Sequence, residues 1–396
     1  MVKLPYFELT PWIEDHKLKC KHYLAGSATP FLSIEDLISL SSDPQATEMA
    51  LNFRSLKLGG DFLRGNLSVR SAIAALYGSK QGIKPEHVIT TVATTAANLT
   101  VLQGLLTAGD HVICMYPTYG QLSRLPKTWG CEVSPWKLDA TKAWAVDLEV
   151  LQELIKPNTV MVILCNPANP TGSYVDAEIQ TRIIDIARKH NLIIMTDEIF
   201  RPLFHQSLDQ NVPSFVEHDY EKVVVTGSLS KVWGLTGVRV GWIVTKDQSL
   251  LKRLLNARQY TYQIGSMIDE TIAAEVLSER CRPAILARHL GYAQENLQAL
   301  QAFVDKNSDM CSWTKPTAGS TAFIKLSLNG QPIDDVEFCN RILDEDGVLL
   351  MPGSLCFREG EETDMGGYVR VHFTHFPDKT RKALDAWDRF LANQRK

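Results

Sequence analysis

The chain has 396 residues, 45% hydrophobic and 22% charged, which is the make-up of an ordinary globular protein and excludes collagenous or disordered classes. A formal net charge of −4 offers no attraction for nucleic acid or an anionic membrane, so a small molecule is the expected ligand. The opening residues carry no secretory pattern, no apolar run is long enough to span a bilayer, and the eight cysteines form no CxxC pair; together these predict free thiols, no metal site and a cytoplasmic location.

From about residue 86 to 245, short β-branched runs alternate with longer amphipathic stretches, the pattern of a mostly parallel sheet covered by helices. The predicted strands are 87–92, 111–115, 131–136, 159–165, 192–197, 222–227 and 238–244, with helices at about 96–107, 148–155, 176–190 and 249–259. One long helical stretch follows over 269–306, then the strand-like segments STAFIKLSL, GVLLMPG and YVRVHFTH, then a last helix from about 378. The reading is an α/β fold: a large domain over 45–265 with a mostly parallel seven-stranded sheet sandwiched by helices, and a smaller α+β domain made of 1–44 with 266–396.

Several strands end in polar or glycine-containing turns, where ligands gather in open α/β sheets. The segment 92-VATTAANL-99 leads from strand to helix and would turn free backbone N–H groups on an anion, which makes Thr94 and Thr95 candidate phosphate contacts. Tyr119, in YPTYG, offers a ring that could stack on a flat, electron-poor one, or could simply fill the core. Asn169 sits in the rigid turn NPANPTG. Asp197 closes the strand LIIMTD, as a carboxylate at the sheet edge or as a helix cap. Lys231 follows Ser228 and Ser230 and precedes Arg239; a lysine partly removed from water near other cations loses basicity and becomes a nucleophile. Arg370, in GYVRVHF, could hold a carboxylate through two parallel hydrogen bonds.

Three segments, CNPANPTG (165–172), TDEIF (196–200) and TGSLSKVWGLTGVRVGW (226–242), stand in the order and separations of the class I and II aminotransferases, the fold type I pyridoxal phosphate enzymes, which the chain resembles over nearly its whole length. The resemblance implies an aspartate aminotransferase-like fold and pyridoxal 5'-phosphate as cofactor. It implies that Lys231 bears the Schiff base and shuttles the proton, and that Asp197 lies beneath the ring nitrogen. Thr94, Thr95, Ser228, Ser230 and Arg239 would hold the phosphate, while Tyr119 would stack on the ring. Asn169 would reach the phenolic oxygen and border the substrate, and Arg370 would grip the substrate's α-carboxylate. A homodimer with the site between subunits is implied as well.

Three positions depart from the pattern. Phe200 stands where the family commonly has a tyrosine, Gly60 stands where another tyrosine reaches the partner subunit's phosphate, and Ala93 replaces a usual glycine. The segments DEIFRPLFH and LRGNLSVRSAIAALYG resemble a branch associated with secondary metabolism, including capreomycidine-synthase-like proteins. The expected activity is transamination of an α-amino acid, with β/γ-elimination, replacement or cyclisation left open as the alternative, since all use the same lysine. A regulatory domain is disfavoured because the N-terminal stretch is too short for a helix-turn-helix module. A dinucleotide site is disfavoured because GLTGVRVG spaces its glycines wrongly.

Overall fold

A computed structural model describes residues 4–60, 63–78, 82–205, 212–359 and 365–395. Its strands in chain order are β1 (His22–Tyr23), β2 (Val88–Val92), β3 (His111–Tyr116), β4 (Glu132–Lys137), β5 (Thr159–Cys165), β6 (Ile193–Asp197), β7 (Val223–Ser228) and β8 (Val240–Val244). A second set follows: β9 (Cys311–Trp313), β10 (Thr321–Leu328), β11 (Gln331–Pro332), β12 (Val348–Leu349), β13 (Met351–Pro352) and β14 (Tyr368–His372).

Strands β2 to β8 form one seven-stranded sheet in the order β2-β8-β7-β6-β5-β3-β4. Its neighbours run parallel except where β8 meets β2 and β7. These strands read as nearly continuous apolar runs because both faces are covered. Alternate residues of β5 divide between two cores, Val162 and Leu164 in one and Met161, Ile163 and Cys165 in the other. All seven predicted strands are present, with ends shifted by one or two residues. The helices between them start where aspartates accept first-turn N–H groups, as at Asp147, Asp176 and Asp247.

Two helical expectations change. The stretch over 269–306 is not one helix: it divides into Met267–Val276 and Arg282–Lys306, the second opening with a proline in its first turn, where the missing N–H goes unneeded. The helix Gly120–Thr128 was not predicted; it is short and contains Pro126.

The smaller domain carries an antiparallel sheet in the order β11-β10-β14-β13, with β9 also on β10. The N-terminal segment joins it: β1 pairs in parallel with β12, and Trp12 Nε1 donates to the Leu350 carbonyl at 2.9 Å. The eight cysteines are free thiols, and no helix among the described residues is long and apolar enough to cross a membrane.

Candidate active site

A cavity of about 290 Å³ lies at the carboxyl ends of β5 and β6, bounded by the turns after β2 and β7, with β14 closing the opposite side. Ten of the eleven residues singled out in the sequence line it. Ser228 does not; its buried hydroxyl accepts the Ser230 N–H at 3.2 Å and so shapes the turn that presents Ser230 and Lys231.

Asp197 ends β6 and is 3% exposed. Its Oδ1 accepts the Ile199 N–H at 3.1 Å, and its Oδ2 accepts from Asn98 Nδ2 at 2.9 Å. Thr226 Oγ1 donates to Asn98 Oδ1 at 2.7 Å, which fixes the amide so that its NH₂ end faces the carboxylate. Burial pushes the Asp197 pKa up to about 6, while Asn98, the Ile199 N–H and Lys231 pull it back, so the group is ionised at neutral pH.

Lys231 is half-buried at the cavity wall, and its Nζ donates to Ser27 Oγ at 2.9 Å. Burial, then the Arg370 and Arg239 charges, lower its pKa to about 8, leaving a useful fraction of neutral amine near physiological pH.

Arg370 is 2% exposed on β14. Nη1 donates to Asn169 Oδ1 at 3.1 Å, and Nη2 donates to the carbonyls of Ala25 at 2.7 Å and Gly26 at 3.1 Å. Its buried Nε has no partner among the described residues. Burial lowers its pKa to about 10, so it stays charged. Phe200 also lines the cavity and, as a phenylalanine, adds no donor.

The helix Ala93–Leu105 begins at the cavity, and its N-cap Val92 supplies no side-chain cap. Thr94 Oγ1 is buried without a partner among the described residues, whereas Thr95 is exposed. Ala93 adopts φ +63°, a left-handed conformation that explains why a glycine is usual here. Gly241 on β8 makes room for it: a Cβ there would lie 2.5 Å from the Ala93 carbonyl carbon. Arg239 also has positive φ, +57°, and its guanidinium donates to the Thr236 carbonyl at 2.8 Å.

Tyr119 meets Phe7 edge-on, with centroids 5.3 Å apart. Beyond Phe7, the N-terminal segment adds Leu9 and Thr10 to the lining. Glu8 ties this segment down, accepting from Arg124 Nη1 at 2.5 Å and Arg358 Nη2 at 3.0 Å.

Sequence reasoning missed Ser27, Asn98, Leu9 and Thr10. Asn98 was within reach of it, since Thr94 and Asn98 stand four apart on one helix face. No motif marks the other three.

The family described as "Aminotransferase class I and II" matches residues 32–386. Capreomycidine synthase of Streptomyces vinaceus is 28% identical over 353 residues, spanning 88% of this chain and 86% of that protein. Nicotianamine aminotransferase A of Hordeum vulgare is 25% identical over 339 residues, 83% of this chain and 72% of that one. A solved PLP-dependent aminotransferase from Streptococcus suis matches with a TM-score of 0.89 at 32% identity, covering 99% of this chain and 98% of that chain. The PLP-dependent cyclase OrfR shares the fold, with a TM-score of 0.84 at 24% identity over 99% and 98% of the two chains.

These kinships imply pyridoxal 5'-phosphate, and the cavity's donors fit it. An uncapped helix start with an unpartnered buried hydroxyl suits a phosphate, a half-buried lysine of lowered basicity suits an aldehyde, and an ionised buried carboxylate suits a protonated ring nitrogen. The chain belongs to the class I and II aminotransferase family and is a pyridoxal 5'-phosphate-dependent enzyme fold of the aspartate aminotransferase type.

Proposed function

We propose that this protein transfers the amino group of an α-amino acid to a keto acid. The observation that carries the reading is the convergence of Lys231, Asp197 and Arg370, from the turn after β7, the end of β6 and the middle of β14, on one enclosed cavity. When bound, pyridoxal phosphate supplies an aldehyde carbon for attachment and a ring that draws electrons from the substrate's α-carbon.

Lys231 attaches the cofactor and, once free, carries the α-proton as its neutral amine. Asp197, held in place by Asn98, would supply the negative charge for the ring nitrogen. Thr94, Thr95, Ser230 and Arg239 hold the phosphate, and Ser228 supports them through the Ser230 turn. Tyr119 would pack against the ring, and Asn169, which braces Arg370, would reach its phenolic oxygen. Arg370 binds the substrate's α-carboxylate and thereby orients the bond to be broken. Leu9 and Thr10 complete the cavity wall on the N-terminal segment. The working form is a cytoplasmic homodimer, each chain dividing into a large domain over 45–265 and a small one of 1–44 with 266–396; free thiols accord with a reducing compartment.

The second reading is elimination, replacement or cyclisation in specialised metabolism. It is favoured by the kinship with capreomycidine synthase and by Phe200, which withholds a hydroxyl from the phenolic oxygen. The test supplies a panel of ¹⁵N-labelled amino acids with a keto acid acceptor. Label recovered in a new amino acid supports transamination; label released as ammonia or kept in a ring-closed product overturns it in favour of the second reading.

A further inference from the structure

One short segment, Ala25–Ser27, serves two functional groups of the cavity at once. The carbonyls of Ala25 and Gly26 accept from Arg370, and the Ser27 hydroxyl accepts from Lys231. The segment is anchored on both sides. Ser320 Oγ donates to the Ser27 carbonyl at 2.7 Å, while the N–H and the Oγ1 of Thr29 each donate to the Lys231 carbonyl at 2.9 Å. Three residues further on, the Leu32 N–H donates to the Gly234 carbonyl at 3.1 Å. Gly26 has no slack either: a Cβ there would meet Tyr23 at 2.9 Å and His372 Nδ1 at 3.0 Å. The backbone that carries the Ser27 hydroxyl is therefore held beside the amine from both sides.

Among the described residues Ser27 is the hydrogen-bond partner of the Lys231 amine; Asp197 acts on it only through its charge. An amine that alternates between covalent attachment and free base needs a place to rest in the free state. A hydroxyl oxygen suits that task because it accepts an N–H from either the neutral or the charged amine and adds no fixed charge of its own. A carboxylate in the same place would raise the lysine's pKa and hold it as ammonium, leaving little neutral amine to act as base.

We infer that Ser27 is a further catalytic residue, whose hydroxyl holds the amine of Lys231 whenever that amine is not covalently engaged, on the side of the cavity where Arg370 stands. The inference rests on the proposed role of Lys231 as the attaching lysine. In the chain freed of cofactor, the pH dependence of Lys231 acetylation by acetic anhydride, read by peptide mass spectrometry, reports the basicity of the free amine. Losing a hydrogen bond to the ammonium form favours the neutral amine, so Ser27→Ala is expected to move the labelling midpoint down by about one pH unit. Ser27→Thr, which keeps the hydroxyl, is expected to restore it. An unchanged midpoint in Ser27→Ala overturns the inference, as does an equal shift in Ser27→Thr; circular dichroism confirms that each variant is folded. Borohydride reduction of the wild-type holoenzyme separates the two claims. Label on a lysine other than Lys231 would sink the proposed function itself, whereas label on Lys231 with no response at Ser27 would sink only this inference.

Discussion

Asn98 spends its amide on holding one carboxylate: Thr226 fixes its oxygen, and its nitrogen serves Asp197. In Asn98→Leu, Asp197 loses one of its two donors inside a site that burial already makes unfavourable for charge. Its pKa is then expected to climb above the present value of about 6 and into the neutral range. Cofactor affinity should fall about tenfold or more at pH 7 and recover at higher pH, measured by equilibrium dialysis; affinity lost equally at all pH values would argue against this role. Lys231 gives the second pH dependence. Its amine is neutral above a pKa of about 8 and protonated below it, so capture of pyridoxal phosphate by the cofactor-free chain should quicken roughly tenfold per pH unit up to that point and then level off. Lys231→Ala should show no covalent capture at any pH. At this scale the sequence was legible where a residue type carries its chemistry within a motif, as Lys231, Asp197 and Arg370 do. It was not legible for Ser27, which meets Lys231 across 204 residues and belongs to no motif.

The elements at the site are held in conformations that side chains ordinarily avoid. Ala93 is left-handed where β2 passes into its helix, and Gly241 on β8 leaves the space for it. Gly241→Ala should therefore lower the melting temperature by several degrees and impair cofactor binding, because the new Cβ meets backbone and cannot be relieved by a rotamer change. Ala93→Gly should leave stability unchanged or slightly raised, since relief of the left-handed strain offsets the extra freedom of the unfolded chain. The N-terminal segment depends on Glu8, shared between Arg124 and Arg358. Glu8→Gln should cost about 1–3 kcal/mol locally, read as faster amide exchange over residues 4–16 and a raised KM with the central sheet unaffected. Strand and helix positions in the large domain were legible because apolar runs and aspartate caps announce them locally. The break near residue 281 and the helix Gly120–Thr128 were not, since tertiary packing decides both against a weak local pattern.

At the scale of the whole molecule, apolar side chains stand exposed near the start of the helix Met267–Val276. Leu63, Leu67 and Ile268 are 55%, 56% and 37% exposed, on two segments that the hydrogen bond from the Asn66 N–H to Glu270 ties to each other. The proposed homodimer would bury these side chains. Light scattering is expected to give a dimer for the wild type and a monomer with weakened cofactor binding for Leu67→Glu combined with Ile268→Lys; an unaltered dimer would place the interface elsewhere.

The pairing of β1 with β12, reinforced by Trp12 reaching Leu350 across 338 residues, also governs the order of assembly during synthesis. The stretch translated first is docked last. Until residues near 350 leave the ribosome, the apolar side chains of Trp12, Leu24 and Leu37 have no finished core to enter. The seven-stranded sheet, complete by residue 244, can form in the meantime. The cavity therefore comes into being only with the closing of such long loops, and a nascent chain carrying the whole central sheet is still without Arg370 and without Ser320, which anchors Ser27.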